Sequence, residues 1–234
     1  MIHQPPYYWF YLILLLAAIV PRIPFLGKYF QVFNTLIHEN GHALMSLLTR
    51  GSIHKIELFY DTSGTAYTSS RYKVSHFLTS LAGYPASAGA ALLLFFLLNT
   101  KNEFFLMIAL AGILGLNLIL FVRNLYGIIW ILTFGSLVFL LFYIDNTLAM
   151  EIAIIFFGGI LFWGSLMAPL NLIRIAWHEP KQAGDASNLN KITGIPSLLW
   201  SLIFFFISLF IAWHTIQQFP MAEEYLNKLK AFIL

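Results

Sequence analysis

Residues 30–49 read FQVFNTLIHENGHALMSLLT. About 20 residues at 1.5 Å rise per residue cover the ~30 Å hydrocarbon core of a bilayer, so the stretch is long enough to cross one as a helix. It is not uniformly apolar. Gln31, Asn34, Thr35, His38, His42, Ser46 and Thr49 recur every three or four positions. On a helix they form one polar stripe, with Phe33, Ile37, Leu44 and Leu48 largely off it. Lipid cannot satisfy polar side chains, so such a stripe turns toward the interior of a helix bundle.

The rest of the chain supports a bundle. Of 234 residues, 59% are hydrophobic and 10% charged, with a mean hydropathy of +0.79; soluble domains carry roughly 25% charged residues. Apolar segments fall at 7–21, 30–49, 74–98, 103–122, 125–144, 148–177 and 196–217. The pattern predicts an all-α polytopic membrane protein, one domain over 1–234, with about seven transmembrane helices. The N-terminal segment lacks a basic stretch and a small-x-small cleavage site, and is expected to be a retained first span. Tyr7, Tyr8, Trp9, Trp177, Trp200 and Trp213 lie at segment ends, as an interfacial belt requires. A net charge of +3, scattered along the chain, gives no footprint for a nucleic-acid partner, and the absence of cysteine excludes disulfides and thiolate metal sites.

Two connections have structure of their own. Residues 53–60 (IHKIELFY) alternate, DTSG supplies turn chemistry, and TAYTSS resumes with strand-favouring residues, so a β-hairpin is expected between the second and third spans. In residues 178–195, Asp185 is placed to N-cap a short helix that Gly194 would end. With seven spans, the side holding the N-terminus collects eight Lys and Arg (Arg50, Lys55, Arg71, Lys73, Arg123, Arg174, Lys181, Lys191) against five on the other. The positive-inside rule then puts the N-terminus and the 50–73 loop in the cytoplasm.

Within the stripe, His38 and His42 are i and i+4, so both imidazoles project from one helix face and can share a metal ion. Glu39 sits about 100° round the helix. This is the His-Glu-x-x-His pattern of zinc hydrolases, in which Zn2+ activates a water and the glutamate is the general base. A third His six residues after the second is absent, since position 48 is Leu. His42 lies about 12 Å (eight residues at 1.5 Å) from the end of its helix. Carboxylates approaching from that end are Glu57, Asp61, Glu179 and Asp185, and spacing does not choose among them.

HENGHAL in a membrane span resembles the zinc motif of the site-2 protease family of intramembrane metallopeptidases. LAGYPASAGAALLL (81–94) and AGDASNLNKITGIPSLLW (183–200) resemble stretches of a bacterial branch of that family. In such relatives an aspartate in a late segment completes the zinc site, and Asp185 is the matching position. Relatives commonly have Gly after that aspartate, where this chain has Ala186. The resemblance implies a zinc metalloprotease acting on membrane protein or peptide substrates, multi-pass in the bacterial inner membrane, with His38, His42 and Asp185 as metal ligands and Glu39 as the catalytic base. The alternative is a catalytically silent zinc-binding scaffold.

Other features carry expectations of their own. Ala82, Ala86 and Ala90, and Gly83, Ser87 and Ala91, repeat at i+4, so the third span is expected to pack closely on the zinc helix. His178 and Glu179 read as a solvated helix end, and His54, His76 and His214 as interface or packing residues. Asn171, Asn188 and Asn190 are open candidates for stabilising an oxyanion. A substrate helix hides its backbone hydrogen bonds and must be unwound, so the hairpin is a candidate for pairing with it as an added strand.

Overall fold

The computed structural model describes residues 8–220. Helices α1 (Tyr8–Ile19) and α2 (Leu26–Leu48) are followed by strands β1 (Ser52–Leu58) and β2 (Gly64–Ser69). Helices α3 (Lys73–Leu98), α4 (Glu103–Leu116), α5 (Leu125–Ile144), α6 (Thr147–His178), α7 (Gly184–Thr193) and α8 (Ser197–Ile216) complete the chain. Five helices are long and apolar enough to cross a membrane: α3, α4 with the π-helical turn Asn117–Phe121 that continues it, α5, α6 and α8. Large apolar side chains such as Phe105, Ile119, Phe139 and Phe210 stand exposed around them, as lipid-facing positions should. The polytopic all-α architecture with one small hairpin is therefore the observed one.

The first two expected spans are a single bent unit. α1 has 12 residues, about 18 Å at 1.5 Å per residue, too short to cross alone. A short 3₁₀ turn (Val20–Arg22) leads into α2, and the two helices are bent by 104°. Pro21 and Pro24 bracket the break, where the missing N–H donors interrupt the helical ladder. The count is thus five spans, or six with the bent pair taken as one.

The bend relocates the start of α1. Phe10 packs on Phe95 and Phe219, and the Tyr11 hydroxyl donates to the Pro220 carbonyl at 2.7 Å. These partners lie at the C-terminal ends of α3 and α8, opposite the hairpin, so the described start of α1 and the hairpin occupy different ends of the bundle. Seven spans would have placed them together. Among the described residues, the same eight Lys and Arg lie toward the hairpin end, Lys101 alone lies at the other, and Arg22 and Lys28 sit at the α1–α2 break. The bend takes Arg22 and Lys28 out of the far-end count. Trp9, Trp177 and Trp213 are exposed; Trp200 is instead buried and donates through Nε1 to Thr193 Oγ1, so it belongs to the core and not to the belt. Tyr7 lies outside the described residues.

α2 and α3 cross closely through the expected small residues. A Cβ on Gly41 would lie 3.0 Å from the Ala82 carbonyl oxygen, with the Ala86 methyl closer still. The hairpin folds back along α2. Ile56 and Leu58 are fully buried, Thr35 Oγ1 donates to the Thr62 carbonyl at 2.7 Å, and Lys28 Nζ lies 4.6 Å from the Tyr60 ring centre. The strands are antiparallel, with an irregularity between Ile53 and Lys55 that leaves His54 without a cross-strand partner.

Candidate metal centre

Much of the polar stripe of α2 is spent on its neighbours. Gln31 Nε2 donates to the Pro21 carbonyl at the break. Ser46 Oγ reaches the carbonyls of Ser52 and Ser69, and Thr49 Oγ1 shares a 2.6 Å hydrogen bond with Ser75 Oγ on α3. Between these anchors lie His38, Glu39 and His42, the last two buried.

Asp185 reaches them because of how α7 packs. Ala183, Ala186 and Leu189 are fully buried against Leu172, Ala176, Trp200 and Phe204. Ala186, about 100° round this ten-residue helix from Asp185, lies at the middle of the buried side and fixes the rotation at which the Asp185 carboxylate reaches the histidines of α2. The N-cap position is Ala183 and carries no side-chain cap, so Asp185 is in the first turn and is not the cap; Gly194, at φ 78°, ends the helix as expected. Gly194 suits that left-handed C-cap position because it has no Cβ to clash. Asp185 Oδ2 lies 3.2 Å from His38 Nε2 and 3.2 Å from His42 Nε2, and the two Nε2 atoms are 3.1 Å apart.

The other three candidate carboxylates do not join this cluster. Glu57 pairs with Lys55 at 2.8 Å, Asp61 Oδ1 accepts from the backbone and hydroxyl of Ser63 in the hairpin turn, and Glu179 is exposed at the end of α6. The two hydrogen bonds from Ser63 hold the Asp61 carboxyl below its ordinary pKa.

The donor chemistry of the triad suits a metal cation. His42 Nδ1 is 2.7 Å from the Thr79 carbonyl oxygen. That oxygen can only accept, so Nδ1 carries a proton; with the ring neutral, the Nε2 lone pair faces His38 and Asp185. Two ring nitrogens and a carboxylate oxygen converging at 3.1–3.2 Å are stable only with positive charge among them. Zinc bonds of 2.0–2.1 Å in tetrahedral geometry would set neighbouring ligand atoms about 3.3–3.4 Å apart. The observed spacing fits that ion, and these three residues are the only such His/Cys/Asp/Glu group found among the described residues.

Two glycines make the approach possible. A Cβ on Gly83 of α3 would lie 2.5 Å from His38 Nε2 and 2.6 Å from His42 Nε2. Position 83 is therefore more than a packing contact, which is all that the small-residue repeat implied. A Cβ on Gly64, at the start of β2, would lie 3.1 Å from Glu39 Oε1. Glu39 does not join the triad; its Oε2 accepts the Ala66 N–H at 2.6 Å.

These residues line a cavity of ≈ 490 Å³, with Gly64–Thr68 of the hairpin on one side and His76, Ser80, Tyr84, Gly184 and Asn188 on others. His76, expected to be a packing or interface residue, is exposed at this cavity. A larger cavity, ≈ 560 Å³, lies at the opposite end of the bundle beside Lys101, Glu103 and Glu151 and contains none of the sequence-predicted site residues.

Comparison with curated proteins gives no match, and neither does comparison with solved structures. The family model described as Peptidase M50B-like matches residues 11–215, a span that takes in the histidine pair, the small-residue stretch of α3 and Asp185. This multi-pass membrane protein belongs to the Peptidase M50B-like family, a site-2 protease family.

Proposed function

We propose that this chain is a zinc-dependent intramembrane endopeptidase, with His38, His42 and Asp185 as metal ligands and Glu39 as the general base. The observation that carries the reading is the convergence of one oxygen and two nitrogens at 3.1–3.2 Å beside a buried carboxylate that is not one of them. Zinc bound there would lower the pKa of a bound water toward neutrality and polarise the substrate carbonyl. The Thr79 carbonyl fixes the His42 tautomer, and Ala66 N–H fixes the Glu39 carboxylate. Glu39 takes a proton from the attacking water and returns it to the leaving amine.

The hairpin supports an extended substrate. Arg123 N–H donates to the Ile56 carbonyl at 3.2 Å, and Ile56 bridges Val122, so the outer edge of β1 is occupied. Ile56 faces Ala66 across the ladder, and Ala66 directs its N–H outward to Glu39. By alternation, the outward groups of β2 are those of Gly64, Ala66 and Thr68, on the edge that lines the cavity. A substrate strand added there runs past the general base. The charge asymmetry puts this end of the bundle in the cytoplasm.

The test is cleavage of a membrane-helix substrate by purified protein in detergent. Wild type cleaves and Glu39→Gln, retaining its metal, does not. Equal activity in both, or none in wild type, removes the reading.

A further inference from the structure

Tyr84 follows Gly83 on α3, and its ring is held from two sides. It meets the His38 imidazole edge-on with ring centres 4.7 Å apart, and it leans on Phe204 of α8 at 4.6 Å. A phenylalanine would make both contacts. The hydroxyl therefore has no part in the packing, and it makes no hydrogen bond to any described residue. It is not among the enclosed unpartnered atoms, so it keeps accessible surface, and its residue lines the cavity of the His38–His42–Asp185 cluster. Tyrosine hydroxyls in buried surroundings normally find a partner.

A second side chain is in the same position. Asn188 stands three residues after Asp185 on the same face of α7, lines the same cavity, and has no protein partner for its amide among the described residues. The other two candidate asparagines are placed differently. Asn190 Nδ2 donates to the Ile195 carbonyl at 2.8 Å, and Asn171 is exposed on α6 outside the cavity.

We propose that the Tyr84 hydroxyl is a catalytic hydrogen-bond donor to the oxygen of the scissile carbonyl, with the Asn188 amide as a second donor from α7. The assignment rests on the endopeptidase reading. As the water oxygen bonds to the carbonyl carbon, the C=O π pair moves onto oxygen. Tyr84 and Asn188 donate to that oxyanion without giving up their protons. The pair returns when the C–N bond breaks, with the proton held by Glu39 passing to the amine. Donors placed where charge develops act mainly on the transition state.

The test compares full-length wild type and Tyr84→Phe, both zinc-loaded, on a membrane-helix substrate and on binding of a peptide phosphinate, a tetrahedral mimic. Tyr84→Phe keeps the ring against His38 and Phe204, so zinc content and Tm stay unchanged. The expected kcat falls about 10²-fold with KM within about twofold. Phosphinate affinity falls by about tenfold or more, while product-peptide affinity holds. Asn188→Leu is expected to move the same two readouts in the same direction. A Tyr84→Phe enzyme with wild-type kcat and wild-type phosphinate affinity overturns this assignment and leaves the protease reading standing. A wild type that neither cleaves substrate nor binds the phosphinate overturns both.

Discussion

Replacing Gly83 with alanine adds one methyl group at the point where α3 touches both histidines. The new Cβ would sit 2.5 Å from His38 Nε2 and 2.6 Å from His42 Nε2. Ordinary contact begins near ~3.4 Å, so the imidazoles or α3 must retreat by about 0.8–0.9 Å. A zinc site tolerates ligand displacements of only about 0.2 Å. Overpacking of this kind costs about 1–3 kcal/mol, which corresponds to roughly 5- to 150-fold weaker zinc binding. Gly89 on the same helix has nothing within 4 Å of its added Cβ, so Gly89→Ala is the matched control. Zinc affinity by chelator competition is expected to fall by that factor in Gly83→Ala and to stay within about twofold in Gly89→Ala. Folded Gly83→Ala protein with wild-type zinc affinity would refute the placement of α3 against the His38 and His42 ring nitrogens.

Other expectations follow from the hairpin and from the topology. Thr68→Pro removes an outward N–H from β2 and leaves the β1–β2 ladder intact; a lost hydrogen bond of about 0.5–1.5 kcal/mol raises KM roughly 2- to 12-fold. An unchanged KM would show that substrate does not use this edge. The chain has no cysteine, so single cysteines report orientation without background. Asn102→Cys in intact right-side-out vesicles is expected to react with an impermeant maleimide, and His178→Cys only after lysis. The reverse pattern would invert the cytoplasmic assignment of the hairpin end.

What the sequence makes legible follows from period and chemistry. The α2 stripe could be read because a 3.6-residue repeat and a two-residue repeat demand different spacings, and the same logic located the hairpin. The histidine pair with Glu39 was legible because i and i+4 share a face whatever the rest of the fold does. Asp185 was not, because its distance to His38 depends on how burial of Ala183, Ala186 and Leu189 sets the rotation of α7. Four carboxylates satisfied the spacing, and only the family resemblance favoured Asp185. The 104° bend between α1 and α2 was missed, although Pro21 and Pro24 with only two residues between them mark a helix break. That omission carried the parity error for the N-terminal end. Tyr84 looked like part of a small-residue packing stretch, since nothing in a sequence distinguishes a ring that packs from a hydroxyl left unpaired.

The central claim is that three side chains from α2 and α7 hold one zinc ion inside the bundle, and the zinc content of purified protein tests it most directly. The expected result is one zinc per wild-type chain, lost or held far more weakly in Asp185→Ala while the helical content is unchanged. Wild type without zinc after purification in zinc-containing buffer, or Asp185→Ala retaining a full equivalent at wild-type affinity, would contradict it.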